Sequence, residues 1–72
     1  MGHMKKRSIT VAGHRTSITL EEAFWQELQL SARRRGLTVA QLVTQIDSSR
    51  DLKTNLSSAL RLHVLAELKK SV

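Results

Sequence analysis

The stretch Arg15-Thr16-Ser17-Ile18-Thr19-Leu20 alternates in polarity from one residue to the next. Successive side chains of an extended strand point to opposite faces, so this alternation predicts a strand with one apolar and one polar face. The even-numbered side chains are mostly apolar and are expected to lie on a core. The odd-numbered ones, Arg15, Ser17 and Thr19, present a guanidinium and two hydroxyls, groups suited to the base edges of a DNA major groove.

The segment before this strand is out of phase with it. Ile9 and Val11 are apolar at odd positions, whereas the apolar positions after residue 15 are even. One strand cannot keep a single apolar face through that change, so we expect a bulge or a turn at Ala12-Gly13-His14. Residues 5–14 are therefore expected to form either a separate short strand or a basic arm that becomes ordered only on DNA.

A first helix is predicted directly after the strand. Thr19 and Glu22 have the spacing of a capping box, which predicts a helix that starts near Leu20. Gly36 is typical of a helix stop in the left-handed conformation. An apolar residue recurs every fourth position between these two signals, at Leu20, Phe24, Leu28 and Ala32.

Two further helices follow. Thr38 and Gln41 repeat the capping-box spacing and predict a helix that starts at Val39. A third helix is predicted from near Asn55 or Ser57, and it is apolar around more than half of its circumference. This breadth predicts burial between the chain's own core and a second subunit. The apolar residues of this helix are Leu56, Leu60, Leu62, Val64, Leu65 and Leu68.

Composition limits the protein to a few classes. With 72 residues the chain has room for one small domain, and the absence of cysteine excludes disulfides and thiolate metal sites, which leaves association as the expected means of stabilisation. A net charge of +6 favours a polyanionic partner.

We find no membrane-spanning run and no signal peptide, so a cytoplasmic protein without a membrane partner is expected. Residues 1–4 resemble a cloning remnant with Met4 as the native start.

The polar strand, the helix that ends in Arg35-Gly36-Leu37-Thr38 and the next helix at Val39 together resemble the ribbon-helix-helix superfamily, the Arc-, MetJ- and CopG-like bacterial repressors. The resemblance covers roughly residues 15–47, and further segments are similar to a bacterial subfamily of uncharacterised members. It implies a mainly α fold with a short N-terminal strand, an intertwined homodimer and an additional C-terminal helix. The domain would span residues 15–72, and two paired N-terminal strands, one from each chain, would enter the major groove.

The same resemblance implies which residues contact DNA. By this resemblance, the outward-facing strand residues Arg15, Ser17 and Thr19 would contact the base edges. The N-terminus of the second helix would hold a phosphate through its free backbone N–H groups. The basic segment before the strand is expected to contact phosphates or a minor groove, or else to act as a solubilising tail. The expected phosphate-contacting residues are Lys5, Lys6, Arg7, Thr38, Val39 and Ala40.

Other functions find little support in the sequence. No serine is framed by the motifs of a nucleophile, and His14 and His63 lack companions with metal-ligand spacing, so we expect no enzyme, no metal, no cofactor and no small-molecule substrate. The expected function is therefore a sequence-specific regulator of transcription that binds double-stranded DNA, in particular a repressor, as a homodimer that can assemble further on DNA. Two alternatives stay open: an antitoxin with a toxin-binding tail, and a protein-interaction module on the same fold.

Overall fold

The computed structural model describes residues 4–70 of the chain. Two strands, β1 (Met4–Val11) and β2 (His14–Glu21), form an antiparallel hairpin, and three helices follow: α1 (Glu22–Arg34), α2 (Val39–Ser49) and α3 (Leu56–Lys70). The predicted strand and three helices are thus present, preceded by an additional strand. Of the proposed cloning remnant, residues 1–3 lie outside the described residues.

The hairpin turns at Ala12 and Gly13, within the segment where the change of apolar phase predicts a turn. Both residues have positive φ, 52° and 82°, which is the geometry of a type I′ turn and matches the twist of the two strands it joins. Val11 pairs with His14 next to the turn. Residues directly opposite in such a pair share a face, so odd-numbered residues of β1 lie on the same face as even-numbered residues of β2.

The ribbon of this structure is formed within one chain. Of residues 5–14, residues 5–11 belong to β1 rather than to a loose arm, because the two-residue turn at Ala12-Gly13 lets β1 fold back along the full length of β2 and bury Val11. The resemblance implied instead that the strand at residues 15–20 pairs with its copy in a second chain. In this structure the strand has its partner in β1.

The prediction of a capping box at Thr19 and Glu22 is wrong. Strand β2 continues through Glu21, which is the N-cap of α1 and makes no side-chain capping bond. The N–H of Thr19 donates to Ser57 Oγ of α3 at 3.3 Å, which holds the backbone extended at that point. Helix α1 therefore begins at Glu22, two residues later than expected.

The predicted capping box of the second helix is confirmed. Gln41 N–H donates to Thr38 Oγ1 at 3.1 Å, and Thr38 N–H donates to Gln41 Oε1 at 2.9 Å. The end of the first helix is also as expected, because Gly36 has a φ of 70° and Leu37 N–H returns to the carbonyl of Ala32.

One apolar core lies between the inner face of the hairpin and the three helices. Ile18 and Leu20 keep only 2% and 1% of their surface exposed, which confirms that the even positions of β2 face inwards. Ala12 N–H also donates to Thr44 Oγ1, so that the turn is tied to α2. The core consists of Val11, Ile18, Leu20, Leu28, Ala32, Leu42, Val43, Leu60 and Val64.

Helix α3 has two apolar faces, as its sequence indicated. Leu60 and Val64 are buried in the core, with 0% and 2% of their surface exposed. Leu62, Leu65 and Leu68 keep 59%, 47% and 45% exposed. One face of α3 is thus covered within the chain, and the other leaves three leucines in contact with solvent. Within residues 4–70, no helix is both long and apolar enough to cross a membrane.

Candidate nucleic-acid interface

The outer face of the hairpin is polar from the Thr10–Arg15 pair beside the turn to the Lys6–Thr19 pair. The register pairs Lys6 with Thr19, Ser8 with Ser17 and Thr10 with Arg15. All of these residues are exposed except Thr19, which is half-buried. The face thus carries hydroxyls and two cations on two adjacent strands. At about 3.4 Å per residue, the distance between the Arg15 and Lys6 ends of the face is about 14 Å.

The two cations of this face are free within the described chain. Neither Arg15 nor Lys6 makes a hydrogen bond or a salt bridge to any of residues 4–70. Their donors are therefore available to an external acceptor. A two-stranded ribbon fits the roughly 12 Å width of a DNA major groove, and an arginine that donates two bonds to guanine is the commonest specific contact there.

The three residues predicted to read bases lie together on this face. Arg15 and Ser17 are exposed, and Thr19 lies at the end next to α1. The sequence interpretation missed Ser8 and Thr10, which stand opposite Ser17 and Arg15. A two-residue turn at Ala12-Gly13 would have fixed this register, because loop length sets which residues are opposite each other.

The basic segment at the start of β1 is divided between the two faces. Lys6 points outwards with the polar face. Arg7 and Lys5 lie on the inner side, where Arg7 Nη2 donates to Glu22 Oε1 at 2.9 Å and Lys5 Nζ lies 3.4 Å from the same oxygen. The Arg7 guanidinium also stacks 4.4 Å from the centre of the Trp25 ring. Arg7 is thus engaged inside the protein, and its buried Nε has no partner in the described structure.

The N-terminus of α2 lies beside the turn of the hairpin. An open groove of about 450 Å³ lies between the two. The hairpin side of the groove is formed by Thr10, Ala12 and Gly13, and the α2 side by Leu37, Ala40, Gln41, Thr44 and Gln45. The capping box occupies the N–H groups of Thr38 and Gln41, and those of Val39 and Ala40 have no acceptor within residues 4–70. Two N–H groups at the positive end of a helix are suited to a phosphate.

A second polar cluster joins α1 to α3 away from the hairpin. Ser31, which is 1% exposed, donates to Glu67 Oε1 at 2.8 Å and lies 3.0 Å from His63 Nε2. Arg35 Nη2 donates to the same carboxylate at 2.6 Å. The hydrogen bonds from Arg35 and Ser31 lower the pKa of Glu67 from 4.5 to about 2, whereas burial lowers the pKa of His63.

This cluster does not form a catalytic triad. The Ser31 hydroxyl donates its hydrogen bond to Glu67 Oε1 at 2.8 Å, so its hydrogen is directed away from His63 Nε2 and His63 is not positioned to accept that proton. Nor do the described residues contain a group of three or more side chains able to hold a metal ion.

Comparison with known proteins agrees with this geometry. A family model described as a ribbon-helix-helix domain matches residues 4–68, which include the hairpin and nearly all of the three helices. Neither the curated proteins nor the solved structures give a significant match. The family match covers most of the chain, and this protein belongs to the ribbon-helix-helix domain family.

Proposed function

We propose that this protein is a sequence-specific DNA-binding regulator of transcription, acting as a repressor, and that the outer face of its hairpin reads the major groove. Ribbon-helix-helix domains are typically DNA-binding proteins without enzymatic activity. The observation that carries the proposal is the pair of exposed cations, Arg15 and Lys6, on a polar two-stranded face with no partner in the described chain.

In this proposal the side chains of the outer face have distinct roles. Arg15 donates to a guanine, and Ser17 and Thr19 donate to or accept from neighbouring base edges. Lys6 contacts a flanking phosphate, and the free N–H groups of Val39 and Ala40 hold another. Lys5 is a weaker phosphate contact because Glu22 neutralises it, and Arg7 takes no part while it donates to Glu22 and stacks on Trp25.

The experiment is selection from a pool of random duplexes, followed by affinity measurements on the selected site. Arg15→Ala is expected to cost about 1–3 kcal/mol for each base pair that Arg15 contacts and to relax the preference at those positions. Lys53→Ala is the matched control, because it removes one exposed cation from the loop between α2 and α3. Equal affinities for both variants would contradict the assignment of the reading face.

We also propose that the protein acts as a homodimer, since ribbon-helix-helix domains generally bind DNA as dimers. The hairpin already supplies two strands. Pairing of β2 with the β2 of a second chain would give a sheet of four strands. The backbones of its two outer strands would be about 14 Å apart, which is more than the width of the major groove, roughly 12 Å. A dimer formed through the exposed leucines of α3 leaves the two-stranded face intact, and the cost of exposing them favours that arrangement.

Light scattering tests the dimer. The parent protein is expected at about twice 8.1 kDa. Leu65→Glu places a charge in the exposed face of α3 and is expected to give monomers. Leu30→Glu alters a similarly exposed leucine of α1, 44% against 47%, and is expected to leave the dimer intact. A parent that stays monomeric at micromolar concentration would reject this interface.

The exposed leucines also support a second candidate, a protein-interaction module on the same fold. In that case the three leucines bind another protein, and duplex DNA shows no salt-sensitive binding.

An antitoxin whose tail folds only on its toxin agrees less well with the structure, because α3 supplies Leu60 and Val64 to the core.

A further inference from the structure

A second cleft lies between the end of α1, α2 and α3. It encloses about 260 Å³ and is lined mainly by polar surface. Arg35 and His63 form one side of it, and Gln45 and Ser49 of α2 form the other. None of the side chains assigned to base reading lines it, so the proposed reading of DNA leaves this cleft without a role.

The donors of this cleft are only partly used by the protein. Arg35 binds Glu67 through Nε and Nη2, which leaves Nη1 without a partner within residues 4–70. His63 meets Ser31 and Glu67 through Nε2, which leaves Nδ1 likewise without one. The side-chain amide of Gln45 also makes no bond in the described chain. Three groups able to donate to an oxyanion thus line one cleft.

The electrostatic surroundings of the cleft are positive. Arg34, Arg35 and Lys70 all act on His63 to lower its pKa, after burial, against the opposite effect of Glu67. Three cations therefore surround His63, against one carboxylate, that of Glu67. Hydrogen bonds from Arg35 and Ser31 already stabilise this carboxylate in its charged form. On the α2 side, Arg50 is paired with Asp47, and Asp51 lines a neighbouring cleft that His63 also borders.

We propose that this cleft binds a phosphate group, held by Arg35 and His63 with the amide of Gln45 as a third donor. The phosphate belongs either to a free phosphorylated molecule, which would act as an effector, or to a DNA backbone. The bound anion would draw a proton onto His63 Nδ1, because a protonated imidazole can donate from both ring nitrogens. Binding is therefore coupled to protonation of His63.

The probe is inorganic sulfate, which has the shape of phosphate but keeps its charge across the titration range of histidine. Sulfate is exchanged for chloride at constant ionic strength, and the His63 ring is followed by NMR as the pH is varied. Sulfate is expected to raise the pKa of His63. The affinity of the protein for sulfate should rise as the pH falls. For each unit by which sulfate raises the pKa of His63, this rise should be up to tenfold.

Gln45→Glu provides the decisive variant, since it puts a carboxylate into the cleft at an exposed position of α2. It is expected to abolish the sulfate effect on His63. Gln26→Glu makes the same charge change at an exposed position of α1, outside the cleft, and should behave as the parent. A pKa of His63 that does not respond to sulfate, or that responds equally in both variants, would overturn the proposal.

A competition experiment identifies the source of the phosphate. Sulfate that displaces a mixed-sequence duplex at constant ionic strength indicates that the cleft holds the DNA backbone. Sulfate that binds without displacing the duplex indicates a free ligand. Both results require that sulfate raises the pKa of His63, and this is measured without DNA. The phosphate site can therefore fail the test while the proposed reading of DNA by the hairpin stands, and the reverse.

Discussion

Replacement of Ile18 by alanine tests the two-faced hairpin most directly. Ile18 is 2% exposed and belongs to the core cluster, whereas its neighbour Ser17 is exposed on the outer face. Ile18→Ala removes three carbons, worth about 0.8 kcal/mol each in transfer free energy. The cavity that remains brings the total to about 2–5 kcal/mol.

That loss is large for a chain of this size. At about 0.05–0.15 kcal/mol per residue, 72 residues have a free energy of unfolding of about 4–11 kcal/mol. For most combinations of a loss of about 2–5 kcal/mol with this free energy of unfolding, Ile18→Ala removes a third or more of the stability. In domains of this length each kcal/mol corresponds to about 4–8 °C in Tm, so a decrease of about 10–20 °C or more is expected.

The assay is urea and thermal unfolding followed by the fluorescence of Trp25, the single tryptophan of the chain. Protein concentration is kept fixed, because an associating protein has a concentration-dependent Tm. Ser17→Ala is the matched control and is expected to change stability by less than about 0.5 kcal/mol. If Ser17→Ala destabilises the protein as much as Ile18→Ala does, the assignment of inner and outer faces is wrong.

Three further predictions concern the helices. Thr38→Ala removes the acceptor for Gln41 N–H and is expected to cost about 1 kcal/mol in urea unfolding; an unchanged midpoint would show that water replaces the cap. Gly36→Ala is expected to cost about 1–2 kcal/mol from its φ of 70° alone, because no atom lies within 4 Å of an added Cβ, and a stability gain would contradict this. The pKa of Glu67, about 2 in the folded protein against 4.5 unfolded, gives stability that is complete above pH 4.5 and lost as the pH falls towards 2. The unfolding midpoint of Glu67→Gln should depend less on pH in this window than that of the parent, and parallel curves would exclude the role of Glu67.

The local signals that proved reliable in the sequence are those whose partners lie within a few residues. The capping box at Thr38 and Gln41 needs only one turn of helix, and it forms as predicted. The stop at Gly36 depends on its own backbone freedom. The alternation of residues 15–20 assigns the faces of β2 correctly because the pleat of a strand fixes the direction of each side chain.

The signals that failed depend on contacts between distant segments. Thr19 and Glu22 have the right spacing for a cap, but the strand continues through Glu21 and Ser57 of α3 takes the N–H of Thr19. The inward position of Arg7 depends on the register with Ile18, which the sequence left open between a turn and a bulge. Tertiary contacts of this kind override local preference, and no spacing within the segment reveals them.

The pleat of strand β2 separates the side chains that stabilise the fold from those that we propose to read DNA. Its inner side chains, Ile18 and Leu20, are fixed by the core, which sets the register and twist of the hairpin. Arg15 and Ser17 of the outer face make no side-chain hydrogen bond or ion pair within residues 4–70, so both can be replaced at little cost in stability. Thr19 is the exception, because its backbone also holds α3 through Ser57. If the outer face reads DNA as proposed, substitutions should change its sequence specificity at the least cost in stability near the turn, and at the greatest cost at the end of β2 that joins α1.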